Sequence, residues 1–273
     1  MTEARIKDEE MQLLLDDLLR VYGYDFTDYS KASLKRRINR LFNLDGFVSF
    51  AEYRYRIKTD RDYLRRFVEE ITVNVTEMFR DPSYYKTLQT EVLPVLATHP
   101  FIRIWHAGCA TGEEVYSMAI LLQEAGLLHK SLLYATDINP EVIEKARKGI
   151  FPLSGMKQYS ENYIQLGGKN DFSAYYTAHH SKAKFKDSLR EKMIFATHNL
   201  VSDRSFNEFQ LILCRNVLIY FDKELQDKVL RLFDDSLDHL GFLGLGSKET
   251  LQFSPIHTRY WQLGKEKIWR KKE

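Results

Sequence analysis

One short stretch limits what this chain can fold into more than any other: an apolar run that ends in a glycine-framed turn and opens into a helix. Phe101-Ile102-Arg103-Ile104-Trp105 has the β-branched and aromatic content of a buried strand. His106-Ala107-Gly108-Cys109-Ala110-Thr111-Gly112 is the turn, after which Val115, Met118, Ala119 and Leu122 recur at helical spacing. Such a loop lets a ligand approach the backbone closely, because glycine carries no side chain. The spacing fits neither GxGxxG nor GxxxxGK[ST], and Glu113 and Glu114 fill the first helical turn, where they repel phosphate. A cationic ligand free of phosphate suits the loop better. S-adenosylmethionine, which joins adenosine to an ammonium and a sulfonium, is such a ligand. The competing reading, that the two glutamates only complement the helix dipole, stays open at this level.

Length and charge narrow the class. At 273 residues and 44% hydrophobic content the chain has room for one large domain or two modest ones. A net charge of +2 argues against general affinity for nucleic acid or anionic membrane. Two cysteines, Cys109 and Cys214, do not make a disulfide framework and suit a reducing compartment. The adjacent His179 and His180 would point to opposite faces of a strand, so no metal site is expected. Met1 to Glu10 is polar, and no run of about 18 apolar residues follows, which predicts a soluble cytoplasmic protein without membrane insertion.

Residues 1 to about 95 show helical periodicity only. Met11, Leu14, Leu15, Leu18 and Leu19 form one stripe, broken at Tyr22-Gly23-Tyr24. A second helix from Tyr29-Ser30 turns Leu34, Ile38 and Leu41 inward and loads its other faces with Lys31, Lys35, Arg36, Arg37 and Arg40, closing at Asp45-Gly46. Ser49 caps a third helix through Tyr53 and Ile57, and a fourth runs from about Arg61. Thr72 to Arg80 then alternates β-branched and polar residues as an irregular link, and Asp81-Pro82 starts the next helix.

Past the glycine loop, Ser131 to Thr136 reads as a second strand ending in Asp137-Ile138-Asn139-Pro140. An acidic residue there is placed to take two ribose hydroxyls, with Asn139 left to cap the following helix. From Phe151 the βα rhythm breaks. A helix from Met156 to Leu166 and candidate strands at 173–179, 183–186 and 192–196 suggest an inserted antiparallel subdomain. Asn199, Arg215, Asn216 and Tyr220 follow later strands, at the carboxyl ends where ligands sit in open α/β sheets. A helix Lys223 to Leu240, a strand Gly241 to Leu245 and the apolar Tyr260 to Trp269 complete the sheet.

Taken together, Asn74-x-Thr76-x-x-x-Arg80-Asp81, Gly108-Cys109-Ala110-Thr111-Gly112-Glu113-Glu114-x-Tyr116-Ser117, Ala135-Thr136-Asp137-Ile138, Asn199-Leu200 and Cys214-Arg215-Asn216-Val217-Leu218-Ile219-Tyr220-Phe221 resemble the bacterial chemotaxis receptor methyltransferase family, CheR. The resemblance spans nearly the whole chain. It implies an α/β fold: a Rossmann-like class I methyltransferase domain over 96–273 with an inserted β-subdomain at 151–195, preceded by an all-helical domain over 1–80, with 72–95 as linker and connecting helix. It implies S-adenosylmethionine as cofactor, held by Asn74, Thr76, Arg80, Glu113, Glu114, Asp137, Asn199, Leu200, Arg215 and Asn216, and S-adenosylhomocysteine as product. Tyr220 and Arg80 would stand nearest the transferred methyl. The expected activity is methylation of glutamate side chains on the cytoplasmic domain of a chemoreceptor-type protein, by a monomer that binds no nucleic acid. Lys35, Arg36 and Arg37 on the basic second helix are expected to dock the receptor. Glu77-Met78 departs from the aromatic residues common in the family before Phe79-Arg80. The rival readings are a non-catalytic, cofactor-sensing scaffold and a nucleic-acid methyltransferase.

Overall fold

The computed structural model describes residues 6–22, 24–26, 29–72 and 76–272. The chain divides into two compact units, one of Met1–Asn74 with Ile219–Lys228 and the other of Val75–Leu218 with Val229–Glu273. The connecting helix falls in the second unit, and a ten-residue piece from far down the chain falls in the first.

Among its described residues the first unit holds α1 (Asp8–Tyr22), α2 (Lys31–Leu44), α3 (Phe50–Thr59) and α4 (Arg61–Thr72). Met11, Leu14, Leu15 and Leu18 of α1 are buried as their spacing requires, whereas Leu19 is 43% exposed and lies outside the stripe. Ser49 Oγ accepts the Glu52 amide at 3.2 Å, the N-cap its position predicts. Asp45 caps α2, and Gly46 takes φ +71° in the turn beyond it. Rings of Phe42, Phe47, Tyr53, Tyr63 and Phe67 pack largely edge to face at the centre. Buried Asp17 is paired with Arg54 at 2.6 Å and Lys58 at 3.3 Å, and these hydrogen bonds, Arg54 first, hold its carboxyl below the usual range.

In the second unit, α5 (Pro82–Thr87), a π-helical turn (Leu88–Val92) and α6 (Leu93–Leu96) run on without a break. Pro94 has no N–H to give to Thr90, and the wider π turn before it accommodates the missing bond. The sheet follows through β1 (Ile102–Ala107), α7 (Glu113–Glu124), β2 (Ser131–Asp137) and α8 (Pro140–Lys148). Next come β3 (Ile150–Pro152), α9 (Met156–Leu166), β4 (Tyr176–His179), β5 (Lys182–Phe185), α10 (Asp187–Arg190) and β6 (Met193–Thr197). The chain ends with β7 (Phe209–Cys214), α11 (Lys223–Ser236), β8 (Leu237–Leu245), β9 (Tyr260–Gln262) and β10 (Ile268–Lys271).

The main sheet has the order β6-β2-β1-β7-β8-β10-β9, parallel except that β10 runs against both neighbours. Strand order reverses direction at β1, so the carboxyl ends of β1, β2 and β7 make the crevice where α/β sheets hold ligands. The inserted sheet has the order β3-β5-β4. Its third strand is therefore Ile150–Pro152. The segment expected to be that strand, 192–196, is instead β6, which pairs in parallel with β2 from Leu133↔Met193 to Asp137↔Thr197. The helix expected to reach Leu240 stops at Ser236, because Leu237 already pairs with Phe209 in the sheet.

Gly244 in β8 shows how closely the sheet and α5 meet. A Cβ there would run into Tyr84 Oη and sit 2.7 Å from Leu213 Cδ2. Gly244→Ala should cost about 1–3 kcal/mol by overpacking, read as a lowered midpoint in thermal denaturation. A variant that melts with the wild type would show that Tyr84 is free to move.

Candidate active site

The loop between β1 and α7 owes its shape to left-handed residues and a carboxylate. Gly108 (φ +77°), Ala110 (φ +48°) and Gly112 (φ +98°) all take positive φ. A Cβ on Gly108 would stand 2.5 Å from Val217 Cγ2, and one on Gly112 would stand 2.9 Å from the Ala146 Cβ. The amides of Gly108 and Cys109 both donate to the Thr136 carbonyl, at 2.8 and 2.9 Å. Asp137 Oδ2 accepts the Ala110 amide at 3.0 Å and Oδ1 accepts the Asn139 amide at 3.0 Å. Asp137 thus fastens the loop to the end of β2, while Asn139 Oδ1 caps α8 through the Glu141 amide at 2.9 Å. Burial pushes the Asp137 carboxyl up, opposed by the backbone amides of Asn139, Ala110 and Ile138.

The two glutamates that open α7 have different surroundings. Glu113 is 5% exposed, accepts the Thr111 hydroxyl at 2.6 Å and lies 3.5 Å from the Tyr159 hydroxyl. Burial pushes its carboxyl up to about 7, against those hydrogen bonds. Glu114 faces His106 Nδ1 at 2.9 Å and Arg215 Nη1 at 3.4 Å. Burial would raise it, but its hydrogen bond and attraction to His106, together with Arg215, bring it below its ordinary value.

Arg215 is the centre of this cluster. Its side chain is 3% exposed and lies over the Tyr84 ring, with the guanidinium carbon 4.1 Å from the ring centroid. Nη2 donates to Asp81 Oδ2 at 2.6 Å and to the Arg80 carbonyl at 3.0 Å. Burial would favour loss of its proton, yet Glu114 first, then Tyr85, Tyr84 and Asp81, hold it above its usual range. The Arg215 side chain gives its Nη donors to Glu114, Asp81 and the Arg80 carbonyl. What it fixes is the segment 76–81, where Phe79 (φ +52°) and Asp81 (φ +61°) are also left-handed. Ser117 Oγ accepts the Phe79 amide at 3.0 Å and Asn162 Nδ2 donates to the Met78 carbonyl at 2.9 Å, so the segment is held from three sides. Half-buried Thr76 and Arg80 lie on it. Asn74 lies outside the described residues.

At the other strand ends, Asn199 Oδ1 accepts the Val201 amide at 2.9 Å, and the Leu200 side chain is buried. The His198 amide donates to the Asp137 carbonyl at 3.1 Å, which joins that turn to the loop. Asn216 (φ +62°) and Gly246 give their amides to Glu249 Oε2, at 3.0 and 2.5 Å. Tyr220 groups with the helical unit, as do Lys35, Arg36 and Arg37. Within that unit Lys35 pairs with Asp8 at 2.6 Å, Arg36 is exposed, and Arg37 is turned inward over the Tyr220 ring. Arg37 is thus half-buried and faces its own unit, whereas Arg36 faces water.

Sequence reading missed His106, Asp81, Glu249 and Tyr159. For His106 a signal existed, since it lies next to the end of β1, eight residues before Glu114, and a tight strand-to-helix turn brings those two positions face to face.

The residues suit S-adenosylmethionine: a loop cradle closed to side chains, carboxylates at Asp137 and Glu113, and buried polar atoms around the same strand ends, Asn139 Nδ2, His198 Nδ1, His106 Nε2 and Arg215 Nε, without a hydrogen-bond partner among the described residues. A parallel sheet reversing at β1, with this loop and an acidic end to β2, defines an S-adenosylmethionine-dependent methyltransferase. Residues 74–265 match the CheR methyltransferase SAM-binding domain and residues 9–72 its all-alpha domain, and the chain belongs to the CheR methyltransferase family. It is 46% identical over 272 residues to the Pseudomonas putida protein Cher3, covering 99% of this chain and 100% of that one. It is also 31% identical to a chemotaxis protein methyltransferase of Listeria innocua (85% of this chain, 86% of that one) and 30% identical to one of Salmonella typhimurium (90% and 86%).

Replacing Arg215 tests the cluster. Arg215→Met should destabilise the protein by about 3–5 kcal/mol, because it breaks a buried ion pair and leaves Glu114 with His106 as its remaining partner, and Arg215→Met with Glu114→Gln should recover part of that. Denaturant titration of both variants checks it; equal stability of the single variant and wild type would remove the cluster from the account of this site.

Proposed function

We propose that this enzyme transfers the methyl of S-adenosylmethionine to side-chain carboxylates of glutamates on the cytoplasmic domain of a chemoreceptor-type protein, giving glutamate methyl esters, and that it works in the cytoplasm as a monomer. The observation that carries this reading is the Glu114–Arg215–Asp81 chain, which ties the Arg80 segment to the first turn of the cofactor-loop helix. A cation positioned by such a tie suits an anionic acceptor.

The bound cofactor supplies an electrophilic methyl on a sulfonium. The acceptor needs no general base, because a glutamate with a pKa of about 4.3 is already ionised at neutral pH. The protein's part is alignment and exclusion of water. In this reading Asp137 takes the ribose hydroxyls with its remaining lone pairs, and Glu113 and Glu114 stand by the ammonium. Asn74, Thr76, Asn199, Leu200, Asn216 and the Arg215 backbone complete the cofactor site. Arg80 orients the acceptor carboxylate and Tyr220 the reacting groups. The exposed cations of α2, Lys31, Arg36 and Arg40, steer the receptor in.

Incubation with methyl-labelled cofactor and receptor cytoplasmic domains tests the reading. Label should enter the receptor and leave as methanol in mild base, as an ester requires, and should be absent when the acceptor glutamates are replaced by alanine. Base-stable label, or label in added nucleic acid, would overturn the substrate assignment.

Glu113 gives a pH prediction. Its folded pKa of about 7 is raised by burial, so ionising it withdraws stability from the unliganded protein as pH rises from about 4.3 through 7. An ammonium beside it favours the ionised form and expels the proton. Affinity for S-adenosylhomocysteine, which keeps the ammonium, should therefore rise with pH up to about 7 and level off above it. Calorimetry at pH 6 in two buffers of different ionisation enthalpy should show proton release, and Glu113→Gln should abolish it. Proton release unchanged in that variant would move the ammonium contact away from Glu113.

A further inference from the structure

Five cations sit on α2, and the structure treats one of them differently. Lys31, Arg36 and Arg40 are exposed, and Lys35 is paired with Asp8 at 2.6 Å. Arg37, three residues past Leu34 and four before Leu41, lies at the edge of the inward face. Its Nη1 donates to the carbonyl of Ile71, in the last turn of α4, where a helical carbonyl has no partner within its own helix. Its guanidinium carbon lies 4.3 Å from the centroid of the Tyr220 ring.

Tyr220 is held at two points by the same helix. The Ser30 amide, at the N-cap of α2, donates to the Tyr220 carbonyl at 2.8 Å. Phe221 bridges to Tyr29 through the backbone, and their rings meet at 4.8 Å. These contacts fix the backbone at and just after the tyrosine, and the guanidinium fixes the ring. Burial penalises the charge of Arg37, and the group that most offsets it is the Tyr220 phenol, with Tyr29 a smaller contributor. A cation placed for a partner protein would keep its head in water. This one is half-buried and turned toward a carbonyl and an aromatic ring of its own unit.

We infer that Arg37 is a positioning residue for Tyr220, clamping the phenol ring so that its hydroxyl keeps one orientation during methyl transfer. The inference rests on the proposed role of Tyr220. It separates the cations of α2 into two kinds: Arg36 and its exposed neighbours act on encounter with the receptor, whereas Arg37 acts on turnover.

The test compares Arg37→Gln, Arg37→Lys and Tyr220→Phe, alone and combined, with receptor methylation as the assay. Arg37→Gln should lower kcat about tenfold, with the receptor KM and S-adenosylhomocysteine affinity little changed and no relief by salt. Arg37→Lys keeps a cation over the ring but loses the planar fork, and should restore part of the rate. In the Tyr220→Phe background Arg37→Gln should cost nothing further, since the hydroxyl it positions is gone. A raised KM that salt abolishes would make Arg37 a docking residue and overturn the inference, as would losses that multiply in the double variant. Impaired Tyr220→Phe beside an unimpaired Arg37→Gln would overturn the clamp alone. Wild-type turnover by Tyr220→Phe would overturn the role of Tyr220 and the clamp with it. Should Arg37→Gln fail to fold, Arg37→Lys in the two backgrounds decides by the same criteria.

Discussion

A buried arginine in contact with two carboxylates organises the catalytic unit. Arg215 follows β7, Glu114 stands in the first turn of α7 and Asp81 precedes α5, so a single guanidinium joins three elements that chain connectivity leaves apart. A charge so far from water needs countercharge beside it. Glu114 and Asp81 supply it and Tyr84 covers the guanidinium face, while Nε has no hydrogen-bond partner among the described residues. In turn Tyr84 packs against Gly244 of β8, so the middle of the sheet is part of the same assembly. The left-handed residues Phe79 and Asp81 persist because this assembly over-determines them.

The cofactor loop obeys a different economy. Its conformation is set by backbone hydrogen bonds to the end of β2 and by a carboxylate that accepts two amides at once. Asp137 is thus both a structural acceptor and, in the proposed reading, a recognition group. The same double duty applies to Glu113, which caps Thr111 while remaining nearly sealed from solvent. A site assembled in this way is preorganised before any ligand arrives, which suits a reaction whose demand is alignment.

Much of this was legible in the chain. The four helices were marked by apolar spacing and by Ser49, and the loop and Asp137 by glycine placement at the ends of two strands. Those signals are local. Asp81 and Arg215 are 134 residues apart, and neither carries a local sign of the other. The third strand of the insertion was misassigned because Met193–Thr197 and Ile150–Pro152 have equally plausible strand composition; pairing with β2, not propensity, decided between them. Arg37 was read with its neighbours because charge on a helix is usually solvated, and only the position of Tyr220 shows otherwise.

The helical unit is not a contiguous stretch of polypeptide. Ile219–Lys228 groups with it, and Phe221 packs on Tyr29 there. Cutting the gene after the fourth helix would therefore yield a fragment missing an aromatic plug from its own interior, and a remainder carrying that plug with nowhere to seat it. Swapping this module between relatives would need three crossovers, not one. Whatever specificity the helical unit carries is inherited together with the tyrosine beside that plug.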